Sequence, residues 1–129
     1  MSISVGDALP PFVVPSVSAA AMKQWAVFLH DPNPIHLDVE AVKAKGLGDK
    51  VINQGPANVA YVMNMLRAAF PGAALERMNS RFVDNVYAGD RLTAGGTVTA
   101  IEAGLILCEI WLNAEGRGPV IAGTAAVRL

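Results

Sequence analysis

One long apolar segment, followed by a change of hydrophobic period, constrains the fold of this 129-residue chain most strongly. Residues 57–70 carry apolar side chains at helical spacing on one face and on much of the other. Before them, Gly55-Pro56 predicts a helix cap at Gly55 followed by proline in the first turn. A helix that is apolar nearly all round is usually buried. Pro71-Gly72 ends the segment, and the pattern then alternates with a period of two residues. The sequence therefore predicts a buried helix followed by a sheet.

The second half of the chain contains four candidate strands separated by turn residues. The strands are predicted at residues 81–83, 91–101, 105–113 and 120–129. The turns between them are Gly89-Asp90, Ala103-Gly104 and residues 115–119. Strands joined by such short turns are antiparallel neighbours. A buried helix and a long antiparallel meander predict an α+β fold, a single domain over residues 1–129 with the sheet wrapped around the helix.

The first half of the chain is predicted to contain an extended arm and two further helices. Three prolines favour an extended backbone over residues 5–15. Ser18 is a suitable N-cap for a helix over residues 19–29. A short helix near residues 39–45 is predicted to end at Gly46.

The turn Asp31-Pro32-Asn33-Pro34-Ile35-His36 carries the most chemical information. Its two prolines fix φ and bias the residues before them toward extended geometry, which predicts that the turn is not helical. A stiff turn that holds an acid and an imidazole at a fixed separation supplies the groups for general acid/base chemistry. Alternatively, Asp31 only caps the turn, because Asp-Pro-Asn-Pro is also ordinary turn chemistry. The residues by themselves leave both interpretations open.

The composition disfavours several other classes of function. The net charge is −1 and no basic run is present, which disfavours nucleic acid as a partner. No apolar run approaches the ~20 residues that span a bilayer, and the first residues lack the pattern of a signal peptide. Two histidines and one cysteine leave no ligand set with metal-binding spacing.

Two further features concern location and assembly. Cys108 is the single cysteine and cannot form an internal disulfide, which predicts a cytoplasmic protein. The hydrophobic content of 53% is high for a soluble domain of this size. We therefore expect part of the surface to be covered in an oligomer.

The turn described above, followed by Leu37-Asp38 and by Ile52-Asn53-Gln54-Gly55 at a helix start, resembles the MaoC-like hydratases. These proteins include the (R)-specific enoyl-CoA hydratases and have the hotdog fold. Their pattern is Gly-Asp-x-Asn-Pro-(Ile/Leu/Val)-His-x-Asp, followed by a His-Gly-Met step into the central helix. The resemblance continues in Ala41, Gly46, Arg81-Phe82 and Gly89-Asp90-Arg91-Leu92.

The resemblance implies a role for each residue of the predicted site. Asp31 and His36 would be the catalytic pair and would hold a water molecule against an α,β-unsaturated acyl thioester, while Asn33 would brace the turn. The N–H of Gly55 would bond the thioester carbonyl, and the helix dipole would stabilise the enolate oxygen. Gln54 would either contact the substrate or bond locally. The implied substrate is a thioester of CoA or of an acyl carrier protein, with no metal or redox cofactor.

The sequence departs from the family pattern close to the predicted site. His30 replaces the usual glycine, Gln54 the histidine, Pro56 the methionine and Ala60 a serine. Two alternatives therefore accompany the hydratase prediction: a thioesterase on the same fold, and a non-catalytic thioester-binding subunit that pairs with a partner. Because Asp31 and His36 have the spacing of the hydratase pattern, we favour hydration of an enoyl thioester to the (R)-3-hydroxyacyl thioester, or the reverse dehydration. The expected assembly is a homodimer, or a higher homo-oligomer, with two sheets joined edge to edge.

Overall fold

Three helices form in the first half of the chain, where the sequence predicts them. The computed structural model describes residues 2–129. The helices are α1 over Ala19–Leu29, α2 over Val39–Ala44 and α3 over Gly55–Ala69. The Ser18 hydroxyl accepts a hydrogen bond from the Ala21 N–H at 3.1 Å, which confirms Ser18 as the N-cap of α1. Gly55 is the first residue of α3 and not its cap, because Gln54 occupies the cap position.

Five antiparallel strands form one sheet beside these helices. They are β1 over Phe12–Val14, β2 over Ala74–Phe82, β3 over Leu92–Glu102, β4 over Leu105–Ala114 and β5 over Gly118–Arg128. Their order in the sheet is β1-β3-β4-β5-β2. The hairpins that join β3 to β4 and β4 to β5 confirm the predicted antiparallel meander.

A turn forms at Ala88-Gly89, close to the predicted Gly89-Asp90, but the prediction that it joins neighbouring strands is wrong, because β2 pairs with β5 and not with β3. The chain between β2 and β3 instead runs from the edge strand β2 to β3, which lies beside the opposite edge strand β1. Its backbone bonds to segments outside the sheet: the Ala88 N–H donates to Val51 O and the Gly89 N–H to Val17 O. This connection therefore closes over the chain that precedes α3.

Most of β2 and the strand character of β1 were not predicted from the sequence. Residues on both faces of β2 are largely exposed. Its sequence therefore lacks the alternation of apolar and polar side chains that indicates a strand with one buried face. β1 lies within the predicted extended arm, and Phe12 pairs with Ala94 of β3. The predicted Val83 lies just beyond the end of β2.

The hydrophobic core lies between α3 and one face of the sheet. Met65 and Val62 of α3 are fully buried, as are Leu112 of β4 and Ile121 of β5. Each large apolar side chain buried in this way contributes about 1.5–3 kcal/mol. The far side of α3 is exposed at Met63. Within residues 2–129, each helix is too short or too polar to cross a membrane.

The turn between α1 and α2 is held against the chain that precedes α3. The Ile52 N–H donates to Ile35 O at 2.9 Å, and the Asn53 N–H donates to Val86 O at 2.7 Å. Residues Pro34–His36 form one turn of 3-10 helix, so the prediction of a wholly non-helical turn is wrong. A proline at the first helical position needs no hydrogen-bond acceptor, which makes Pro34 compatible with this turn.

Candidate active site

An acid and an imidazole face each other across the turn after α1. The Oδ2 atom of Asp31 lies 3.3 Å from Nε2 of His36. The His36 side chain is 9% exposed, whereas that of Asp31 is 35% exposed. The carboxylate therefore faces solvent, with the imidazole behind it. The structure thus brings together the two titratable residues that the sequence singles out.

The contact on the other side of the imidazole fixes which nitrogen carries the proton. Nδ1 of His36 lies 2.6 Å from the carbonyl oxygen of Ile52. A carbonyl oxygen only accepts, so Nδ1 must donate. In the neutral ring, Nε2 then presents a lone pair to Asp31. A water molecule that donates to both Asp31 and Nε2 completes this contact, and so does a proton on Nε2 that is donated to Asp31. Either arrangement is suited to proton transfer.

The second carboxylate oxygen of Asp31 stabilises the turn. Asp31 Oδ1 accepts the N–H of Asn33 at 3.1 Å. Asn33 Oδ1 in turn accepts the N–H of Ile35 at 3.3 Å and caps the 3-10 turn. The turn-capping and acid/base interpretations of Asp31 are therefore compatible, because each uses a different oxygen of the same carboxylate.

The start of α3 offers a single free backbone donor. Pro56 has no N–H, and the N–H of Ala57 bonds to Gln54 O at 3.1 Å. The N–H of Gly55 lies in the first turn, where no intrahelical acceptor exists, and it makes no hydrogen bond to another part of residues 2–129. The positive end of the helix dipole adds to this donor. The site can therefore stabilise negative charge that develops on one oxygen atom.

The side chain of Gln54 is fully buried beside this helix start. Its Nε2 donates to Met22 O of α1 at 2.8 Å. Its Oε1 is buried without a hydrogen-bond partner in the part of the chain that the structure describes. Gln54 thus ties the start of α3 to α1, and α1 leads directly into the turn that carries Asp31.

A buried polar network near the start of α3 was missed in the sequence. Nδ2 of Asn53 donates to Oδ1 of Asn58 at 2.8 Å and to the hydroxyl of Tyr61 at 3.3 Å. Asn53 and Asn58 are each about 95% buried. Asn58 and Tyr61, three positions apart in the first half of a mainly apolar helix, were the available signal. The network holds the segment before Gly55 against α3.

His30 has a left-handed backbone at the end of α1, with φ 52°. Its N–H donates to Val27 O at 3.2 Å, which ends the helix. A residue with a Cβ atom in this conformation costs roughly 1–2 kcal/mol, whereas glycine adopts it freely. The requirement for a positive φ explains why glycine suits this position in the resembled pattern.

A groove of about 660 Å³ opens beside Asp31. It is lined by residues of α1 and of the following turn: Lys23, Ala26, Val27, His30, Asp31, Pro32 and Leu37. Its volume lies within the range of small-molecule sites, and its walls are mainly apolar. The groove thus brings a mainly apolar surface of α1 up to Asp31.

Other titratable groups give no sign of metal or nucleophile chemistry in the described chain. Within residues 2–129, no three His, Cys, Asp or Glu side chains converge as a metal-ligand set. Cys108 is buried in β4, and burial raises the pKa of its thiol. The raised pKa keeps the thiol neutral, so Cys108 acts as a small apolar side chain.

Sequence comparison identifies a family and a relative of this chain. The family model described as "MaoC like domain" matches residues 11–105. A curated relative, the mitochondrial 3-hydroxyacyl-[acyl-carrier-protein] dehydratase of Arabidopsis thaliana, is 31% identical over 99 residues, which is 77% of this chain. The match covers 57% of that relative, so the chain corresponds to little more than half of it.

Solved structures with the same architecture cover the whole chain. The (R)-hydratase from A. caviae involved in PHA biosynthesis has a TM-score of 0.90 at 23% identity, over 99% of this chain and 98% of its own. The ChsH1-ChsH2 complex from Mycobacterium tuberculosis gives a TM-score of 0.86 at 22% identity, over 100% and 99% of the two chains. This likeness confirms the predicted hotdog fold.

Proposed function

The chain belongs to the MaoC-like domain family, and we propose that it is a hydro-lyase that hydrates a trans-2-enoyl thioester or runs the reverse dehydration. The Asp31–His36 contact carries this proposal, because its 3.3 Å separation leaves two proton-transferring groups in position for one water molecule. The relatives named above include an (R)-hydratase and a 3-hydroxyacyl dehydratase. The proposed product of hydration is accordingly the (R)-3-hydroxyacyl thioester.

The proposed step adds water across the double bond with two proton transfers. The water oxygen forms a bond to the β-carbon and loses a proton to one member of the Asp31–His36 pair. The other member supplies a proton to the α-carbon. The bond to Ile52 O keeps a proton on Nδ1 of His36, so its exchange with the water takes place at Nε2. After the product leaves, a proton passes from the group that accepted one to the group that gave one up, across their 3.3 Å contact, and this restores both starting states.

Negative charge develops on the thioester oxygen during this step. We assign the N–H of Gly55 as its donor, together with the dipole of the fifteen-residue helix α3. Because Pro56 removes the neighbouring donor, the carbonyl oxygen would have one backbone N–H in the first turn. Asn33 and Gln54 would then support the turn and the helix start without joining the proton transfers.

The substrate carrier and the location are parts of the same proposal. The thioester would be carried by CoA or by an acyl carrier protein. Proton transfer and formation of a C–O bond require an acid, a base and an oxyanion donor, so the proposal includes no metal or redox cofactor. The unpaired, buried Cys108 supports a cytoplasmic location, where thiols stay reduced.

We also propose that two copies of the chain associate through β2. This nine-residue strand pairs with β5 along one edge and is the outermost strand of the sheet. Leu75, Phe82 and the neighbouring Val83 are exposed apolar residues along it. A long edge strand with unpaired backbone N–H and C=O groups favours pairing with another strand. Light scattering is expected to give twice the 13.5 kDa chain mass, and a monomer mass at micromolar concentration contradicts this assembly.

The reaction is tested by incubating the purified protein with a series of trans-2-enoyl-CoA thioesters of increasing chain length. Loss of the conjugated-thioester absorbance is followed while free thiol is titrated in the same samples. Loss of absorbance without thiol release, with formation of the (R)-3-hydroxyacyl product, supports the hydro-lyase. Thiol release identifies a thioesterase instead. Absence of both changes, with retained acyl-CoA binding, identifies a non-catalytic thioester-binding subunit.

A further inference from the structure

The ring of Phe82 lies directly against the first residue of α3. A Cβ atom built on Gly55 would lie 3.2 Å from Cζ and 3.3 Å from Cε1 of Phe82. The tip of the ring therefore lies beside Gly55, and a side chain at position 55 would require the ring to shift by a few tenths of an ångström. Gly55 has no positive φ, so the Phe82 ring, and not the backbone conformation, is what a side chain at this position would meet.

The backbone that carries the ring is held by β5. Phe82 is the last residue of β2 and is paired with Ile121. The next residue, Val83, donates its N–H to Val120 O at 2.9 Å. Phe82 is 59% exposed, but its point of attachment is fixed beside Gly55.

This contact places the ring next to the free donor of the site. The nitrogen and Cα of Gly55 are about 1.5 Å apart, and an acceptor lies about 2.9 Å from a donating nitrogen. A thioester carbonyl bonded to the Gly55 N–H would therefore have its substituents within reach of the Phe82 ring. The carbonyl carbon of a thioester carries a sulfur atom and the α-carbon. The sulfur is the same in every thioester, so substrates differ at the α-carbon.

We propose that Phe82 is a specificity-determining residue that restricts the substrate to acyl thioesters without a substituent at the α-carbon. This inference rests on the proposed function, because it takes an acyl thioester as the ligand and the Gly55 N–H as its donor. An α-methyl group would occupy space that the ring fills. The expected discrimination is about tenfold or more, the usual effect of one methyl group in an apolar site.

Binding of saturated acyl-CoA tests the inference without any turnover. Butyryl-CoA and 2-methylbutyryl-CoA have no conjugated double bond and cannot be hydrated, so calorimetry measures their affinities directly. The wild-type protein is expected to bind butyryl-CoA about tenfold or more tightly than the branched analogue. In Phe82→Ala the two affinities should agree within about threefold, and in Phe82→Leu the ratio should be intermediate.

Phe28→Ala is the matched control, because Phe28 is an exposed aromatic residue of α1, 76% accessible, whose ring lies against Trp25. Its ratio of affinities should equal that of the wild type. A purely structural role of Phe82, including one in dimer assembly, would weaken both ligands together and leave the ratio unchanged. If Phe82→Ala does not fold, Phe82→Leu supplies the same comparison.

Three outcomes overturn the inference: no discrimination by the wild type, an unchanged ratio in the Phe82 variants, or no binding of either ligand. Hydration of unbranched trans-2-enoyl-CoA by the wild type is measured separately. Absence of that hydration refutes the proposed reaction, whereas the ratio of the affinities for butyryl-CoA and 2-methylbutyryl-CoA tests only the role proposed for Phe82.

Discussion

Nδ1 of His36 lies 2.6 Å from the carbonyl oxygen of Ile52, and this contact determines which nitrogen of the ring faces Asp31. Ile52 is only three residues before Gly55, so the orientation of the imidazole is tied to the chain that leads into α3. The backbone thus sets both the proton position on His36 and the location of the free N–H. The two halves of the proposed site are positioned by one short segment, residues 52–55.

The first prediction concerns the tautomer of His36. In its neutral form the proton is expected on Nδ1, because Ile52 O accepts and cannot donate. Nitrogen-15 NMR of the imidazole ring distinguishes the two tautomers by chemical shift. His30, an exposed histidine in the same sample, serves as the internal reference. A neutral His36 with its proton on Nε2 contradicts this geometry.

The second prediction concerns the buried amide of Gln54. Gln54→Ala removes the bond to Met22 O and leaves a cavity, so the free energy of unfolding should fall by about 2–4 kcal/mol. Gln54→Leu refills most of the volume and removes the unpartnered Oε1, so its loss should be smaller, about 1–1.5 kcal/mol. Urea denaturation measures both. Equal stability of wild type and Gln54→Ala would be incompatible with this role.

The third prediction concerns the left-handed residue at the end of α1. His30→Gly should raise the free energy of unfolding by about 0.5–1 kcal/mol, because glycine adopts the φ of 52° without a Cβ penalty and this gain exceeds its greater chain entropy. His30→Ala keeps the Cβ atom and should bring no gain. Thermal or urea unfolding provides the comparison. If the alanine variant is as stable as the glycine variant, backbone strain at this position is not the cause.

The fourth prediction concerns Cys108. Because burial raises the pKa of its thiol, the folded protein should react with a thiol reagent at least about a hundredfold more slowly than the unfolded chain at the same pH. The folded state also keeps this proton where the unfolded chain loses it, above about pH 8.5. The stability contributed by Cys108 is thus complete below that pH and falls as the pH rises further. In Cys108→Ala, the free energy of unfolding should lack this decrease above about pH 8.5. Equal labelling rates for folded and unfolded protein would show an accessible thiol.

Much of the fold was predictable because its signals are local. Ser18 satisfies a free N–H of α1, and the apolar spacing of residues 57–70 requires burial on several sides. The turns predicted at Ala103-Gly104 and residues 115–119 join strands that are neighbours in both sequence and space, although Gly118 and Pro119 already belong to β5. For the site, the sequence identified Asp31 and His36, which the fold brings together.

The remaining features depend on contacts that no local pattern encodes. The partner of β2 is β5, some forty residues further along the chain, and its exposed side chains give no alternating pattern. The bond from Gln54 to Met22 O and the approach of Phe82 to Gly55 each join segments distant in sequence. Their geometry follows only once the sheet is closed around α3.

The most direct test of the central claim is the turnover of Asp31→Asn and His36→Gln on the enoyl thioester that the wild type hydrates best. Each variant should keep its fold and its affinity for a saturated acyl-CoA, and each should lose about a hundredfold or more in kcat. Asp38→Asn removes the same charge from the N-cap of α2 and should retain nearly full activity. Turnover within about threefold of the wild type in either Asp31→Asn or His36→Gln would contradict the proposed acid/base pair.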